Sequence, residues 1–468
     1  MTRAHPVTGA EVLPSSFRDP AGFLFRRDGV LYRQVNGVHR DHYQRLMTSG
    51  LYEALVGRWL LVAHEDLGPD EAAAEDAHTV IRPDVVPFVS YPYEWCFEAL
   101  KDAALATLEA QGIAMDHGMS LRDASAFNVQ FVRGRPVLID TLSFEVLREG
   151  RPWIAYRQFC QHFLAPLALM VYRDVRLSQL LRVHLDGVPL DLAASLLPAR
   201  ARARTPLLLH LFMHARSQRR HAADTSLPSE RTFSLRAFRG LLDSLSGAVR
   251  GLVPRRGDSH WIDYYGEADH YTSEALQHKR QLVQGVIDEL RPATVWDLGA
   301  NTGVFSRLAS GRGIDTVAFD VDPSVVNATY REVKANREEH LLPLVLDLTN
   351  PSPPIGWANR ERMTIAERGP ADLALALALV HHLAIAGNVP LRRIAGHLSE
   401  LCRHLMIEFV PKDDPKVRRL LATREDVFPG YTREGFEAAF ADRFEIERSE
   451  PIEDSARLLY LMRARGSS

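Results

Sequence analysis

The chain contains little cysteine and no long apolar run. Its three cysteines among 468 residues, Cys96, Cys160 and Cys402, are far apart and lack metal-site spacing, so neither a disulfide framework nor a cysteine-bound metal is expected. The longest apolar runs, at 163–172 and 373–380, are too short to span a bilayer. The N-terminus carries no apolar signal core. We therefore expect a cytoplasmic protein with no membrane partner.

The chain also lacks a strong net charge. A formal charge of −3 gives no overall basic field, so no nucleic-acid partner is expected. Only five of the 56 basic residues are lysines, an imbalance that indicates a GC-rich, bacterial genome. With 46% hydrophobic residues the composition is that of a globular protein, and the length requires more than one domain.

A glycine-rich turn stands out in the second half. A strand predicted at Thr294–Trp296 leads into the sequence DLGANTG, which contains Asp297, Gly299, Asn301 and Gly303. Such a turn brings the backbone close to a ligand at the carboxyl end of a parallel strand. Asp320 ends the next predicted strand, 21 residues after Gly299 (320 − 299), where an acid can accept hydrogen bonds from both ribose hydroxyls. The spacing predicts a nucleoside site.

Three details distinguish this turn from a dinucleotide-binding loop. Asp297 lies within the turn, Asn301 replaces the middle glycine, and Asp347 ends the next strand-like run. The series resembles the class I S-adenosylmethionine-dependent methyltransferases over about residues 260–466. The resemblance implies that the cofactor is S-adenosylmethionine, with its methionine part along the turn, its ribose on Asp320 and its adenine amino group on Asp347. The neighbouring Val321 and Leu348 complete the predicted cofactor set. The alternative is an α/β domain whose acids merely end strands.

The rest of this half fits a Rossmann-like, seven-stranded α/β domain. We expect a buried fourth strand at 371–383, a fifth at 404–410 and a terminal antiparallel hairpin. The aromatic and polar segment 261–271 suits a lid over the cofactor or a packed entry loop. The helix before the first strand places six apolar residues on one face, which indicates core packing: Leu276, Leu282, Val283, Val286, Ile287 and Leu290.

Candidates for the transfer chemistry lie at the ends of the fourth and fifth strands. His381 and His382 follow the fourth, where the resemblance places the methyl group, and a neutral histidine can deprotonate a hydroxyl. Glu408 ends the fifth. A histidine pair can also simply cap a strand. Because no Asn/Asp-Pro-Pro-Tyr tetrad is present, we expect O-methylation of a small molecule or glycoconjugate. The rival hypothesis is a cofactor-binding regulatory protein without turnover.

The first half carries a different pattern. An expected strand and hinge at 84–95 precede a helix with Phe97, Leu100, Ala104 and Leu108 on one face. An Asp-x4-Asn loop and a strand ending in aspartate follow. The order resembles the protein-kinase-like superfamily, including aminoglycoside and choline kinases, over about residues 20–180. By that resemblance Asp123 matches the catalytic base, and Asn128 and Asp140 match the magnesium ligands.

The departures from the kinase pattern indicate a degenerate domain. There is no glycine-rich phosphate loop, and Lys101 is the first lysine, so only Arg33 could replace the phosphate-pairing lysine. Leu121 replaces the usual histidine of the loop, and Asp140 is followed by Thr-Leu instead of Phe-Gly. We expect a domain that positions substrate or a partner. A bifunctional kinase-methyltransferase, a chance resemblance, and aspartates that only stiffen turns remain alternatives.

Three segments follow from these patterns. Residues 1–230 are predicted to form the helix-rich, α+β kinase-like domain, 231–259 a linker, and 260–468 the methyltransferase domain. No metal site is expected unless the kinase-like half is active. Nothing in the sequence indicates an oligomeric state.

Overall fold

The computed structural model describes residues 9–214, 216, 233–254, 272–422 and 425–466. The expected lid at 261–271 and the polar stretch at 217–232 lie outside the described residues. The chain divides into two units: a first unit of Met1–Arg256 with Ile355–Arg362, and a second unit of Gly257–Pro354 with Met363–Ser468. The short segment Ile355–Arg362 thus belongs to the first unit although the second surrounds it in sequence.

The first unit begins with a five-stranded antiparallel sheet of order β1-β2-β3-β5-β4. Its strands are β1 (Glu11–Val12), β2 (Gly22–Arg27), β3 (Val30–Asn36), β4 (His64–Gly68) and β5 (Ala77–Pro83). Helices α1 (Arg40–Thr48) and α2 (Leu51–Val56) connect β3 to β4. Asp28 and Gly29 turn the β2–β3 hairpin with φ of 51° and 78°, the left-handed conformation that two-residue hairpin loops require.

A long helix, α3 (Phe97–Asp116), follows the sheet. The four residues expected on its inner face, Phe97, Leu100, Ala104 and Leu108, are all buried, so this prediction is confirmed. Short strands then form two antiparallel pairs, β6 (Met119–Leu121) with β9 (Phe144–Val146) and β7 (Val129–Val132) with β8 (Arg135–Leu138). The polar loop of interest therefore lies between β6 and β7, and Asp140 lies two residues beyond the end of β8.

Helices complete the first unit. An α-helix, a π-helical stretch at Cys160–Leu164 and a second α-helix run without interruption from Tyr156 to Tyr172. Another π-helical stretch is Leu208–Met213. Residues 235–251 of the expected linker form an amphipathic helix whose buried residues include Phe238, Leu242 and Leu245. The α-helices after α3 are α4 (Tyr156–Phe159), α5 (Ala165–Tyr172), α6 (Leu180–Val183), α7 (Leu190–Leu196), α8 (Thr205–Leu207) and α9 (Leu235–Gly251).

The second unit is built on one seven-stranded sheet of order β12-β11-β10-β13-β14-β16-β15. The first five strands in this order are parallel, and β16 runs antiparallel to both β14 and β15. Its strands are β10 (Thr294–Leu298), β11 (Asp315–Asp320), β12 (Leu341–Val345), β13 (Ala371–Ala376), β14 (Cys402–Phe409), β15 (Phe444–Pro451) and β16 (Leu458–Ala464). The helices are α10 (Ser273–Leu290), α11 (Ser306–Ser310), α12 (Pro323–Asn336), α13 (Leu391–Leu401), α14 (Pro415–Leu421) and α15 (Arg433–Ala441).

The seven strands and the terminal hairpin agree with the sequence-based expectation. Val283, Val286 and Ile287 of α10 enter the core against the sheet, and Leu276, Leu282 and Leu290 pack against that core, as the helical spacing predicts. The chain passes from β10 to β11 and β12 on one side, then crosses to β13 on the other side of β10. Ligands of open parallel sheets bind at the carboxyl ends of the strands where the order reverses in this way.

Two strand predictions were wrong. Residues 84–95 contain no strand, because β5 already ends at Pro83. The other error concerns a strand boundary. The apolar run at 371–383 suggests a single strand, but β13 ends at Ala376, and Ala378 has a φ of 52°. Val380 begins a helical turn that continues as a π-helical stretch, His382–Ala386. Apolar residues can be buried equally well in a strand or in the turn after it, so the run does not mark where the strand ends.

Candidate functional site

The glycine turn lies at the carboxyl end of β10. Gly299, Asn301 and Gly303 all have positive φ, of 79°, 48° and 78°. Asparagine tolerates this left-handed conformation better than other residues with a side chain, which explains its place among the glycines. A Cβ on Gly299 would lie 3.3 Å from Leu379. The turn therefore keeps its backbone bare between β10 and the segment that follows β13.

Asp320 ties this turn to the neighbouring strand. Its Oδ2 accepts a hydrogen bond from the Asn301 amide at 2.9 Å, and its Oδ1 accepts one from the Asp322 amide at 3.0 Å. Burial raises the pKa of Asp320, while the backbone amides oppose that shift. Each carboxylate oxygen has a further lone pair, so both can still accept a ligand hydroxyl. The adjacent Val321 is 57% exposed and offers an apolar surface.

Asp347 lies two residues beyond β12. Its Oδ1 accepts hydrogen bonds from the Thr349 amide at 2.8 Å and the Thr349 hydroxyl at 2.6 Å. Leu348, between them, is half-buried. Because β10, β11 and β12 are parallel neighbours, the predicted cofactor residues all follow strands that end on one edge of the sheet. The third acid therefore belongs to the same edge as the turn and Asp320.

Asp297 is buried at the end of β10. It accepts a hydrogen bond of 2.6 Å from the Ser306 hydroxyl. Burial raises the pKa of Asp297 to about 6, against the opposing effects of Ser306 and of the Lys279 ammonium. Asp297 thus fixes the start of α11 from beneath the turn instead of lying on its surface.

Glu408 is part of a buried chain of charges that the sequence analysis missed. It accepts from Lys279 Nζ at 2.6 Å and from Arg457 at 3.1 Å, and Arg457 also pairs with Asp414 at 2.8 Å. Glu408 is 0% exposed and held by two cations, an arrangement that suits structural pairing better than proton transfer. The sequence did contain a signal for this buried cluster, because Lys279 lies on the apolar face of α10, three residues after Leu276 and four before Val283.

The two histidines lie in the helical turn after β13. His381 is 0% exposed, and neither ring nitrogen has a hydrogen-bond partner among the described residues. His382 is half-buried, and the two ring centroids are 4.2 Å apart. Burial is the largest cause of a lowered pKa in both, and the nearby cations Lys416 and Arg457 add to it. Both imidazoles are therefore neutral near pH 7.

The polar loop of the first unit is saturated by the protein itself. Asp140 pairs with Arg33 at 2.9 Å, and it accepts from the Leu142 amide at 3.0 Å and the Ser143 hydroxyl at 2.9 Å. Asn128 donates to the same Ser143 hydroxyl at 3.2 Å. The two predicted magnesium ligands are thus brought together, but through Ser143. No cluster of metal-ligating side chains occurs in the part of the chain that the structure describes.

Asp123 and Arg33 are held in similar ways. Asp123 Oδ1 accepts from the Ser125 amide at 3.0 Å and from Gln158 at 2.8 Å. Burial first, and then the Asp140 charge, raise the pKa of Asp123. Arg33 also pairs with Asp19 at 3.2 Å, so its guanidinium has two carboxylate partners. Leu121, in place of the kinase histidine, is buried in β6.

Comparison with known protein sequences shows which family the chain belongs to. No protein-family model matches it. It is 35% identical over 456 residues to the nodulation protein NoeA of Rhizobium meliloti (strain 1021), a match that covers 95% of this chain and 94% of the relative. The chain belongs to the NoeA family. Because the match runs over nearly the whole of both chains, the family has both units in common.

Solved structures related to this NoeA-family chain are much more distant. A structure of WbdD is 16% identical, with a TM-score of 0.30, over 43% of this chain and 42% of that chain. Another WbdD structure is described as a bifunctional kinase-methyltransferase. The magnesium protoporphyrin IX methyltransferase ChlM of Synechocystis PCC 6803, crystallised with bound SAM, is 17% identical with a TM-score of 0.29, over 44% of this chain and 93% of that chain. The chain spans less than half of WbdD.

The sheet order of the second unit itself indicates which fold this unit has. Five parallel strands, a reversal beside β10 and an antiparallel terminal hairpin match what the class I methyltransferase resemblance implies. The second unit of this NoeA-family protein therefore has the fold of a class I S-adenosylmethionine-dependent methyltransferase domain. No helix among the described residues is both long and apolar enough to cross a bilayer.

Proposed function

We propose that this protein transfers the methyl group of S-adenosylmethionine to a hydroxyl of a small molecule or glycoconjugate. The observation that carries the proposal is the link between the glycine turn and Asp320, in which the Asn301 amide donates to the Asp320 carboxylate at 2.9 Å. This bond fixes a bare backbone turn beside a half-buried acid at the edge where parallel sheets bind ligands. An exposed backbone turn next to an acid suits a ligand in which a nucleoside is joined to an amino acid.

The residues of this edge fit the cofactor part by part. The turn from Gly299 to Gly303 would lie along the methionine part, and Asp320 would hold the ribose hydroxyls. Val321 and Leu348 would contact the adenine, and Asp347 would accept from its amino group. The bound cofactor supplies an electrophilic methyl group on a positively charged sulfur. Asp297, whose carboxyl group is buried under the turn, adds negative charge on that side when ionised.

His382 is the group best placed to accept a proton from the acceptor. It is half-buried and therefore partly open to a ligand, whereas His381 is fully enclosed. Its lowered pKa keeps the imidazole neutral, which is the form that can take a hydroxyl proton. Glu408 is bound to Lys279 and Arg457, so we assign it to holding the strand end and not to the transfer. His381 would buttress the ring of His382.

Cofactor binding is the direct test. We expect isothermal titration with S-adenosylhomocysteine to show binding to the wild-type protein, and Asp320→Ala to weaken it by roughly 1–3 kcal/mol, because two ligand hydroxyls lose their acceptor. Asp315→Ala is the matched control, since Asp315 begins the same strand at its opposite end. No binding to the wild-type protein, or equal weakening in both variants, would contradict the proposal.

For the first unit we propose a binding role without phosphoryl transfer. Arg33, the only candidate for the phosphate-pairing lysine, is neutralised by Asp140 and Asp19. Asp140 in turn has its oxygens occupied by Arg33, a backbone amide and a hydroxyl. A magnesium ion would have to compete with Arg33 and Ser143 for Asp140, and a triphosphate would find Arg33 already paired with two carboxylates. These contacts favour a kinase-like scaffold that holds acceptor or partner.

A further inference from the structure

Arg362 is a half-buried cation without a carboxylate partner among the described residues. Its Nε is buried and has no hydrogen-bond partner among the described residues, and one terminal nitrogen donates to the Glu361 carbonyl at 3.0 Å. No ion pair links it to a carboxylate within the part of the chain that the structure describes. Burial lowers the pKa of Arg362. Because an unpaired charge is costly to remove from water, such an arrangement calls for an anion that is not part of the protein.

The segment Ile355–Arg362 fixes this guanidinium in the first unit. Ile355 and Arg362 form an antiparallel bridge that closes a tight loop, and the Arg362 amide donates to the Ile355 carbonyl at 3.1 Å. The preceding Glu361 is 5% exposed and forms a two-pronged ion pair with Arg18. Arg18 therefore neutralises Glu361, so the Glu361 carboxylate is not available as a partner for Arg362.

An aromatic ring lies against the guanidinium, and two further rings flank that ring. Its central carbon lies 4.4 Å from the ring centroid of Phe127, which sits in the polar loop between Asp123 and Asn128. Tyr91, in the hinge before α3, and His162 flank Phe127 at ring-centroid distances of 6.3 and 6.1 Å.

His162 adds a second polar group without a partner. It is 1% exposed, and its Nδ1 has no hydrogen-bond partner among the described residues. Burial, assisted by the Arg362 charge, lowers the pKa of His162 to about 3. The ring is therefore neutral, and it can donate to or accept from a ligand without adding a charge of its own.

We propose that Arg362, Phe127, Tyr91 and His162 form a binding site in the first unit for a small ligand that carries an oxyanion group. A guanidinium presents paired N–H donors that match two oxygens of a carboxylate or a phosphate. The rings beside it favour a ligand whose oxyanion is attached to a flat or apolar body. The site does not depend on methyl transfer, and nothing in it requires nucleotide or magnesium.

The experiment uses the full-length protein with three compounds that separate the two oxyanions: inorganic phosphate, phenyl phosphate and benzoate, at constant ionic strength. Binding is measured by titration calorimetry and by the shift in melting temperature. Arg362→Met removes the charge while keeping an apolar side chain over Phe127, and Arg362→Lys keeps the charge but loses the paired donors. Arg360→Met is the matched control, because Arg360 is an exposed arginine of the same loop. Binding of S-adenosylhomocysteine reports separately on the second unit.

We expect phenyl phosphate or benzoate to bind the wild-type protein and Arg360→Met alike, and inorganic phosphate to bind more weakly than phenyl phosphate. Whichever compound binds identifies the oxyanion. Arg362→Met should bind the same compound at least tenfold more weakly than the wild-type protein does. The affinity of Arg362→Lys should lie between those of the wild-type protein and Arg362→Met. Without ligand, Arg362→Met should melt at the wild-type temperature or above it, because an unpaired, partly desolvated charge has been removed.

Two results would overturn the proposal. One is the absence of binding by any of the three compounds to the wild-type protein, or equal binding by Arg362→Met. The other is an Arg362→Met protein that melts well below the wild-type protein or does not fold, which would show that Arg362 holds the loop onto Phe127 and nothing more. Unchanged binding of S-adenosylhomocysteine in all variants separates this outcome from a failure of the methyltransferase proposal.

Discussion

At the scale of single residues, His381 and His382 show how neighbours in the chain can have different surroundings. They lie in a helical turn, where successive side chains point about 100° apart. His381 is enclosed without a hydrogen-bond partner among the described residues, while His382 keeps part of its surface. Only His382 is therefore proposed to meet the acceptor, which narrows the pair predicted from the sequence to one base.

We expect His382→Gln to lower kcat by roughly 10²–10⁴-fold while binding of S-adenosylhomocysteine is unchanged, because the variant loses the proton acceptor and not the cofactor edge. The pKa of His382 is lowered from 6.5, so the base is competent above that pH. The rate should fall only as the pH drops below about 6.5, once the folded-state pKa is approached. Kinetics across pH 5–8 with a methyl acceptor check both expectations.

His404→Gln is the control for this variant, since His404 is a half-buried histidine early in β14. Mass spectrometry of the product locates the new methyl group. A His382→Gln enzyme with full kcat would exclude the base assignment, and a methyl group on nitrogen or carbon would exclude the hydroxyl acceptor.

At the scale of elements, the polar loop between β6 and β7 has the side chains of a kinase loop but uses them for its own structure. Asp123 bonds the Ser125 amide and Gln158, and Asp140 is paired with Arg33. We expect Mg-ATP to leave the melting temperature unchanged and to transfer no phosphate to any acceptor tested.

We also expect Asp123→Asn to fold and to bind S-adenosylhomocysteine, but to lower the methylation rate if this loop positions the acceptor.

Radiolabelled ATP and thermal melts provide both measurements, with Asp116→Asn, at the exposed end of α3, as the matched control. A rise in melting temperature together with transfer of the terminal phosphate would make the first unit a working kinase. Loss of folding in Asp123→Asn would instead leave its carboxylate a purely structural role.

At the scale of the whole molecule, buried histidines in both units make stability depend on pH. Burial lowers the pKa of His39, His64 and His210 to about 4 and that of His162 to about 3, and it lowers that of His381 as well. Below pH 6.5 the unfolded chain binds protons that the folded chain does not. The stability from these groups is therefore complete above pH 6.5 and is lost as the pH falls towards 4 and 3.

We expect the free energy of unfolding to fall between pH 7 and pH 5, with His162 alone contributing about 2 kcal/mol of that decrease. Urea unfolding at a series of pH values measures the slope. His162→Gln removes one titrating group and should make the slope shallower, whatever its effect on stability at pH 7. An unchanged slope in that variant would show that His162 is not a buried neutral histidine.

The sequence by itself determined the edge that is proposed to bind the cofactor. Each of the acids Asp320 and Asp347 comes at or just beyond the end of an apolar strand, and the glycine turn carries its own conformational requirement. These are local signals, because strand periodicity and positive φ are set by residues close together in the chain. The apolar face of α10 was predictable for the same reason, and so were the strands of the terminal hairpin.

Only the tertiary structure decided which charged groups are paired, because those pairs join residues far apart in the chain. Lys279 and Glu408 are 129 positions apart and meet only when α10 packs on the sheet. Arg33 reaches Asp140 across the first unit, which turns an expected metal ligand into half of an ion pair. Arg362 belongs to a short loop of the first unit that the second unit surrounds in sequence, and only the fold brings its guanidinium over the ring of Phe127. Burial and pairing depend on distances that no local pattern encodes, and they decide the chemistry of each of these side chains.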